Sequence, residues 1–427
     1  MSNRKRNQQY RHNHYVPVWY QERFLPPDQD RFWYLDLRPD VVTSGHVRYT
    51  RRDLLHWGPR RCFAQNDLYT TNWGNALNTE IERFFFGKLD AQGKAAVEYF
   101  GSFKHPSADG DMFNAFVPYI SVQKLRTPKG LNFLQHLART YNRNITLMML
   151  QQLQNMFCAV WTECVWQLAD VPPASPTKLI ISDHPVTAYN RNCFPESAYC
   201  QGCNDPDIRL VATHTYFPLS LDRVLIMTNL SWVRNPYQNE LTMRPNPSFF
   251  RDSMFNFLDI QTDRVLTEQE VLEINYVTKR RANRYIAAAE KEWLYPEQRL
   301  GEPHWRKLGD GYLLMPDPRH VYMGGEVIIG YTGGRSDSFS EYGHKPWQKD
   351  FKNEERDRRD TKALERFKAE WAAMAGPQYR GVSYEFASKE RPPRLQDSED
   401  MHAHYLEVDE RNRALPGERQ RRRRLMR

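Results

Sequence analysis

Strand-like and helix-like patterns occupy separate blocks of this 427-residue sequence, and that separation limits the folds open to it. Short aromatic or β-branched runs come first, as in "RFWYLDL" (31–37). Apolar residues at helical spacing follow, from about residue 79 to residue 169. Strand-like runs then return in "KLIISDHPVTAY", "HTYFPLSL" and "RVLIMTNL", ahead of another helical pattern. This order predicts an α+β fold with N-terminal strands, a central helical block, a mixed or antiparallel sheet and a closing helix.

Several helix boundaries have local signals. Thr79 lies three residues before Glu82, and Thr267 lies three residues before Glu270, which is the spacing of a capping box. A helix is therefore expected to begin at each threonine. The run over 131–169 contains no proline or glycine and predicts a long buried helix or a broken pair of helices.

Proline and glycine mark further elements. A helix is predicted from Asp111, kinked at Pro118 and ended by Pro128. The opening "HYVPVWY" is expected to pair with the strand in 31–37 as a hairpin-like N-terminal sheet. Near the C-terminus, "YMGGEVIIGYTGGRSDSF" predicts a hairpin, and "RDTKALERFKAEWAAMAGP" predicts a helix that ends at Gly376.

Composition divides the chain into four parts. Residues 1–11 form a basic leader that we expect to be disordered, and residues 12–300 form the α+β domain. Residues 301–387 form a C-terminal extension with the hairpin and the last helix, since glycine, proline and charge become frequent there. Residues 388–427 form a polar, arginine-rich tail with the composition of a disordered segment.

The net charge of +8 belongs to the two ends of the chain. Residues 1–11 carry four cations and no acid, and residues 411–427 carry eight arginines and one glutamate, so the rest of the chain has a net charge of −3. Basic arms of this kind can neutralise nucleic-acid phosphates, although an arginine-rich tail can equally be a solvated end. The candidate nucleic-acid contacts are Arg421, Arg422, Arg423 and Arg424.

The cysteines and the apolar runs bear on location and metal binding. No run of about 18 apolar residues occurs and no apolar segment follows the N-terminal cations, which predicts a cytoplasmic protein without membrane contact. Free thiols are then expected. Cys193, Cys200 and Cys203 form a C-x6-C-x2-C pattern, which is either half of a zinc site or a loop that happens to hold cysteines.

A set of short motifs is spread from about residue 12 to residue 290: "HNHYVPVWY", "NDLYT", "EIERFF", "VQKLRTP", "IISDHPV", "YFPLSLDRVLIM" and "EINYVTKRRANRYI". In this order the motifs resemble the bacterial and fungal DUF4238 family. The family is of unknown function, so the resemblance implies a domain boundary and a set of motif positions, not an activity. Two positions depart from the family pattern: Asn13 separates His12 from His14, and Asp90 stands where glutamate is expected.

Polar residues embedded in apolar elements mark the candidate site, because such groups are buried only when they pair with each other or have a function. The catalytic candidates are His14, Glu82, Arg126, Asp183 and His184. If the strands of His14 and Asp183 are neighbours, the two would form an acid/base pair or hold a divalent ion, and Arg126 would suit a phosphate. The alternative is structural: His14 caps the core, Asp183 begins an Asx turn, and Arg126 pairs with Glu82.

Three function classes follow. The leading one is an enzyme that acts on a phosphoester or nucleic acid, such as a nuclease, through the His/Asp/Arg site. The second is a non-catalytic nucleic-acid or protein-binding module with basic arms, and the third is a hydrolase of another bond that uses Asp183 or His184. The letters "HNH" are consecutive here, unlike in the nuclease module of that name. The sequence has no P-loop, G-x-G-x-x-G, G-x-S-x-G or HExxH motif to support other chemistries.

Overall fold

The computed structural model describes residues 12–44, 47–73, 76–78, 81–104, 108–200, 203–251, 260–301, 305–331 and 333–376. Two units make up the chain: residues 1–229 with 239–316, and residues 230–238 with 317–427. Three sequence predictions lie outside the described residues: the basic leader, the arginine-rich tail and the cap at Thr79.

The strands are short and most lie in the first unit. In chain order they are β1 (His12–His14), β2 (Phe32–Asp36), β3 (Val41–Ser44), β4 (Val47–Thr50), β5 (Leu54–Trp57), β6 (Ala64–Asn66), β7 (Thr71–Trp73), β8 (Ala76–Asn78), β9 (Cys164–Asp170), β10 (Ile181–Ser182), β11 (Thr187–Tyr189), β12 (His214–Ser220), β13 (Arg223–Asn229), β14 (Gln261–Val265), β15 (Tyr285–Ala288), β16 (Glu326–Gly330) and β17 (Ser336–Ser340).

The helices cluster between β8 and β9. In chain order they are α1 (Val18–Gln21), α2 (Gly87–Gly101), α3 (Gly110–Arg126), α4 (Pro128–Ala138), α5 (Arg143–Gln152), α6 (Cys158–Thr162), α7 (Leu230–Arg234), α8 (Glu268–Arg281) and α9 (Glu354–Ala375). A π-helical turn, Ile81–Phe86, precedes α2. None of these helices is long and apolar enough to cross a membrane.

Two sheets organise the first unit. The larger has the order β11-β12-β13-β9-β14, in which β14 runs parallel to β9 and the other neighbours are antiparallel. The smaller has the order β10-β15-β2-β5 and is antiparallel. Together with the helices from α2 to α6, these sheets confirm the predicted α+β class, with one mixed and one antiparallel sheet.

The predicted pairing of the N-terminus is wrong. Strand β1 pairs with β6, with His12 opposite Asn66 and His14 opposite Ala64, and not with β2. The residues after it do not continue a strand, because Pro17 begins a helical turn, α1. Proline has a fixed φ and no N–H, so it suits the start of a helix better than the interior of a strand.

The prediction for 131–169 is also wrong at its C-terminal end. The run forms α4, α5, α6 and then strand β9. Arg139 ends α4 in a left-handed conformation with φ 49°, and Asn142 caps α5 through its side chain. Strand β9 is buried from Cys164 to Ala169, between two neighbouring strands, so a continuous apolar run there fits a strand as well as a helix.

Several predictions that rest on local signals are confirmed, while the kink at Pro118 stays a prediction. Thr267 and Glu270 form the capping box at the start of α8. Helix α3 runs through Pro118 and ends just before Pro128, close to the predicted limits. The hairpin β16–β17 and helix α9 form as predicted, and α9 ends at Gly376 with φ 88°.

The second unit contains α7, the β16–β17 hairpin and α9. Leu364 and Phe367 of α9 are buried, whereas Met374 at its end is exposed. Buried Arg234 of α7 donates a hydrogen bond to Glu341 at 2.6 Å. A buried ion pair of this kind orients the segments of this unit that carry its partners.

Candidate functional site

The junction between α3 and α4 is a tight turn built by the "LRTP" motif. Thr127 is extended, as the residue before a proline should be, and its hydroxyl caps α4 by accepting the Gly130 N–H at 3.1 Å. A Cβ at Gly130 would lie 2.2 Å from the Lys124 carbonyl oxygen, so only glycine allows this approach. The turn therefore places Lys124, Thr127 and Lys129 close together.

The "SDHP" motif forms a second tight turn after β10. The Ser182 hydroxyl accepts the His184 N–H at 3.2 Å. The Asp183 carboxylate accepts three backbone N–H groups, from Asn283, Arg284 and Tyr285, at 2.8, 2.7 and 2.9 Å. Burial raises the pKa of Asp183 to about 6, and these three N–H groups oppose the rise. Asp183 thus fixes the start of β15 to the end of β10.

The two turns meet at His184. Its Nδ1 lies 2.7 Å from the Thr127 hydroxyl oxygen, and its Nε2 lies 3.2 Å from Asp205 Oδ2 and 3.2 Å from Lys124 Nζ. Burial, and then the charge of Lys124, lower the pKa of His184 to about 3. The imidazole is therefore neutral at physiological pH, with one nitrogen facing a hydroxyl and the other facing charged groups.

Two lysines converge on one carboxylate at this point. Lys124 Nζ lies 2.8 Å from Asp205 Oδ2, and Lys129 Nζ lies 2.6 Å from Asp205 Oδ1. Burial alone would raise the pKa of Asp205, but the two lysines outweigh it and hold that pKa well below its usual range. We call Lys124, Thr127, Lys129, His184 and Asp205 the Asp205 centre.

The Asp205 centre is buried, but it lies just beneath the surface. The side chains of Lys124, Lys129 and His184 are at most 8% exposed. The short segment that carries Asp205, from Cys203 onwards, is only half-buried. Lys129 is held further by the Arg281 carbonyl at 2.6 Å. Among the described residues, no three His, Cys, Asp or Glu side chains are placed to hold a metal ion, so the three cysteines do not form such a cluster.

Arg126 has partners that are not part of the Asp205 centre. Its guanidinium is buried, lies 2.8 Å from Asp90 and donates to the Gln123 side-chain oxygen at 2.7 Å. Burial alone would lower the pKa of Arg126, but the charge of Asp90 outweighs burial, so that the pKa is raised. Gln123 in turn donates to the Tyr15 carbonyl at 2.9 Å, which joins the N-terminal motif to "LRTP". Arg126 is therefore paired with Asp90, the residue that stands where the family pattern has glutamate.

His14 lies on the opposite face of β1 from Asn13. Its Nε2 is 3.1 Å from the Arg60 carbonyl oxygen, and burial lowers its pKa. Because side chains alternate along a strand, His12 shares its face, while Asn13 is buried and accepts the Tyr69 N–H at 3.3 Å. That His14, Arg126 and Asp183 share one open pocket stays a prediction.

The remaining predicted residues can be placed briefly. His184 is part of the Asp205 centre, and Asp183 is its neighbour in the chain. Glu82 lies in the π-helical turn, but its side chain is outside the described residues. The four arginines 421–424 are also outside them.

A family model matches most of the first unit and residues 230–238 of the second. The family model described as "Protein of unknown function (DUF4238)" matches residues 12–292, which is more than half of the chain. The chain belongs to the DUF4238 family. The Asp205 centre lies wholly within the DUF4238 match. No curated protein and no solved structure matches the chain.

Sequence reasoning missed Lys124, Lys129 and Asp205. A signal for the lysines exists, because residues 112–162 of the DUF4238 domain contain five Lys or Arg residues and no Asp or Glu. Buried cations in such a stretch need a carboxylate from elsewhere in the chain. Nothing local identifies Asp205, which lies 76 positions from Lys129.

A cleft of about 360 Å³ runs along a different face of α4. Pro128, Leu131, Asn132 and Gln135 line it at helical spacing. Its other walls are Gln65, Leu68, Tyr141, Arg143, Thr146 and Leu147. The cleft is separate from the Asp205 centre, because Lys129 and Gly130 occupy the other side of the helix.

Proposed function

We propose that this DUF4238 protein is an enzyme that acts on a phosphoester, with nucleic acid as the substrate class, at the Asp205 centre. The observation that carries the proposal is the convergence of Lys124 and Lys129 on the two oxygens of the Asp205 carboxylate, at 2.8 and 2.6 Å. In this proposal the phosphate takes the place of that carboxylate when the Asp205 segment moves aside.

The charge balance of the centre favours an anion. Two ammonium groups face a single carboxylate, and the imidazole between them is neutral. A phosphodiester presents two non-bridging oxygens and one negative charge, which matches what Asp205 presents to the lysines. The N-terminus of α4 also favours an anion here, because Thr127 caps this 11-residue helix and anions are stabilised at helix N-termini.

His184 has the chemistry of a proton carrier at this position. A phosphate oxygen in the place of Asp205 Oδ2 would lie within hydrogen-bond reach of His184 Nε2, since the present distance is 3.2 Å. The Thr127 hydroxyl at 2.7 Å from Nδ1 fixes the orientation of the ring. We therefore assign His184, whose imidazole is neutral, as the general base and the two lysines as the groups that stabilise charge on the phosphate.

The test compares lysines that are each paired with a carboxylate. Lys124→Gln and Lys129→Gln are assayed with the full chain for hydrolysis of single-stranded and double-stranded nucleic acid and of a chromogenic phosphodiester. Lys279→Gln is the control, because Lys279 is likewise paired with a carboxylate, Glu297, at 2.7 Å and a backbone carbonyl. We expect the two variants of the centre to lose activity and the control to keep it.

Two results would reject the proposal. One is a wild-type protein without activity on any of these substrates, and the other is full activity in both centre variants. Circular dichroism and the melting temperature of each variant separate a loss of chemistry from a loss of folding.

A second candidate function, a non-catalytic nucleic-acid-binding module, is favoured by the cleft. Tyr141 in its wall is 87% exposed, and Arg143, two positions further along the chain, also lines the cleft. An exposed ring with a nearby cation is a platform on which bases stack. Deleting residues 411–427 removes a net charge of +7 from the tail. If the tail binds, the deletion lowers the salt dependence of nucleic-acid affinity; if the cleft binds, Tyr141→Ala weakens affinity and the slope is unchanged.

A further inference from the structure

Cys193 and Cys200 form a close pair of thiols in the first unit. The two side chains belong to one small buried cluster, and Cys200 Sγ lies 3.5 Å from the Cys193 carbonyl oxygen. Both cysteines are reduced and buried, and they pack against Leu210 and Leu241. Because the sulfur of Cys200 already lies against the backbone of Cys193, a small movement is enough to form a disulfide.

A buried arginine faces this pair. Arg281 Nη1 lies 3.2 Å from Cys200 Sγ and 2.7 Å from the Asn204 carbonyl oxygen, and its Nη2 donates to the Cys193 carbonyl. The guanidinium is 1% exposed, and its Nε has no hydrogen-bond partner among the described residues. No described carboxylate is within ion-pair distance of it either. A thiolate at Cys200 would supply the missing negative charge.

We propose that Cys193 and Cys200 form a disulfide on reaction with a hydroperoxide, with Cys200 as the attacking thiolate and Cys193 as the resolving thiol. This modification site does not depend on the phosphoester function. Its chemistry follows from an arginine at one sulfur and a second thiol in contact with it.

The thiol chemistry of the pair differs from that of the other cysteines. The neighbouring Cys193 thiol, and then the charge of Arg281, lower the pKa of Cys200 to about 6 against the effect of burial. Burial raises the pKa of Cys62 and of Cys158 to about 12. Cys203 is more exposed than Cys200, but burial also raises its pKa.

The reaction balances in two steps. The Cys200 thiolate attacks one peroxide oxygen, an S–O bond forms, the O–O bond breaks, and the leaving oxygen takes a proton and departs as water or an alcohol. Cys193 then attacks the sulfenic sulfur, the S–S bond forms, the S–O bond breaks, and hydroxide leaves with the Cys193 proton as water. The two thiols lose two electrons and the peroxide gains them.

The oxidant that reaches the two buried thiols has to be small. The segment around the pair lies at the surface, and its exposed members alternate with buried ones: Phe194 is 42% exposed and Tyr199 is 57% exposed. The two thiols lie on the buried side of this surface segment, with one layer of chain between them and the solvent. Hydrogen peroxide is therefore the probe.

The test maps the product in the native, full-length protein. After peroxide treatment, free thiols are alkylated under denaturing conditions and the chain is cut with trypsin and a glutamate-specific protease. Trypsin releases residues 192–209 with all three cysteines, and cleavage after Glu196 separates Cys193 from the other two. We expect the fragments 192–196 and 197–209 to stay joined by a disulfide and Cys203 to be alkylated.

Variants make the assignment specific. Cys203→Ser is the matched control and should give the same link at the same rate. Cys193→Ser should stop at a sulfenic acid on Cys200, which a 1,3-diketone reagent captures. A link between Cys200 and Cys203, no link at all, or oxidation of Cys203 ahead of Cys200 would each overturn the proposal. The wild-type mapping decides the question even if a variant fails to fold.

Discussion

Replacing Asp205 by asparagine removes the negative charge of the Asp205 centre and keeps the shape of the side chain. Lys124 and Lys129, at 2.8 and 2.6 Å from its oxygens, would then face a neutral amide while remaining buried. Removing one partner of a buried ion pair costs about 3–5 kcal/mol. We expect the free energy of unfolding of Asp205→Asn to fall by that amount, measured by urea denaturation near neutral pH.

Inorganic phosphate then tests whether the centre accepts an anion. A ligand that binds only the folded state adds RT ln(1 + [L]/Kd), which is about 2.7 kcal/mol at one hundred times Kd. Phosphate should therefore restore much of the lost stability in Asp205→Asn and have a smaller effect on the wild type, in which the carboxylate occupies the position. Sodium chloride at equal ionic strength controls for screening.

Asp170→Asn is the matched control. Asp170 pairs with Arg223 at 2.6 Å, but its side chain is 37% exposed, so its loss should cost about 1 kcal/mol or less and phosphate should not restore it. Unchanged stability in Asp205→Asn would show that the two lysines do not depend on this carboxylate. A large loss that phosphate does not reverse would make the centre a purely structural ion pair and would contradict the proposed function.

Three further predictions concern pH, backbone space and the original site residues. The pKa of His184 is about 3 in the folded protein and 6.5 in the unfolded chain. The stability that comes from the neutral ring is therefore complete above pH 6.5 and is lost as the pH falls towards 3, by about 1.4 kcal/mol per pH unit. In urea titrations, His184→Gln should reduce this dependence of the unfolding free energy on pH. Gly130→Ala should lower the melting temperature, because its Cβ would lie 2.2 Å from a carbonyl oxygen, whereas Gly110→Ala, with nothing within 4 Å, should not. Asp183→Asn should cost about 1–3 kcal/mol by leaving a buried N–H unpaired; if instead it and His14→Ala abolish activity with unchanged melting temperatures, both residues are kept for catalysis.

Local signals predicted the parts of the fold that depend on neighbouring residues. The capping box of Thr267 and Glu270 needs only a three-residue spacing, and α9 ends where Gly376 adopts a positive φ. Strand β9 was missed because a strand buried between two neighbours and a buried helix both appear as an apolar run. Its conformation is set by β13 and β14, which come much later in the chain.

The site was predicted in part for the same reason. Thr127 and His184 belong to recognisable motifs, so the two turns that carry them could be found from the sequence. Their contact at 2.7 Å joins positions 57 residues apart and has no local signal. Tertiary packing also decides that Arg126 pairs with Asp90 and Lys129 with Asp205. Any of several acidic residues in the chain could supply the negative charge that these buried cations need.

The position of β15 has a consequence for synthesis of the protein. In the order β10-β15-β2-β5 it lies between strands that are made earlier, since β2 ends at Asp36 and β10 at Ser182, whereas β15 begins at Tyr285. Until the ribosome has released residues 285–288, both β2 and β10 have an unpaired edge. Nascent chains and truncations that stop before this strand should therefore bind chaperones or aggregate.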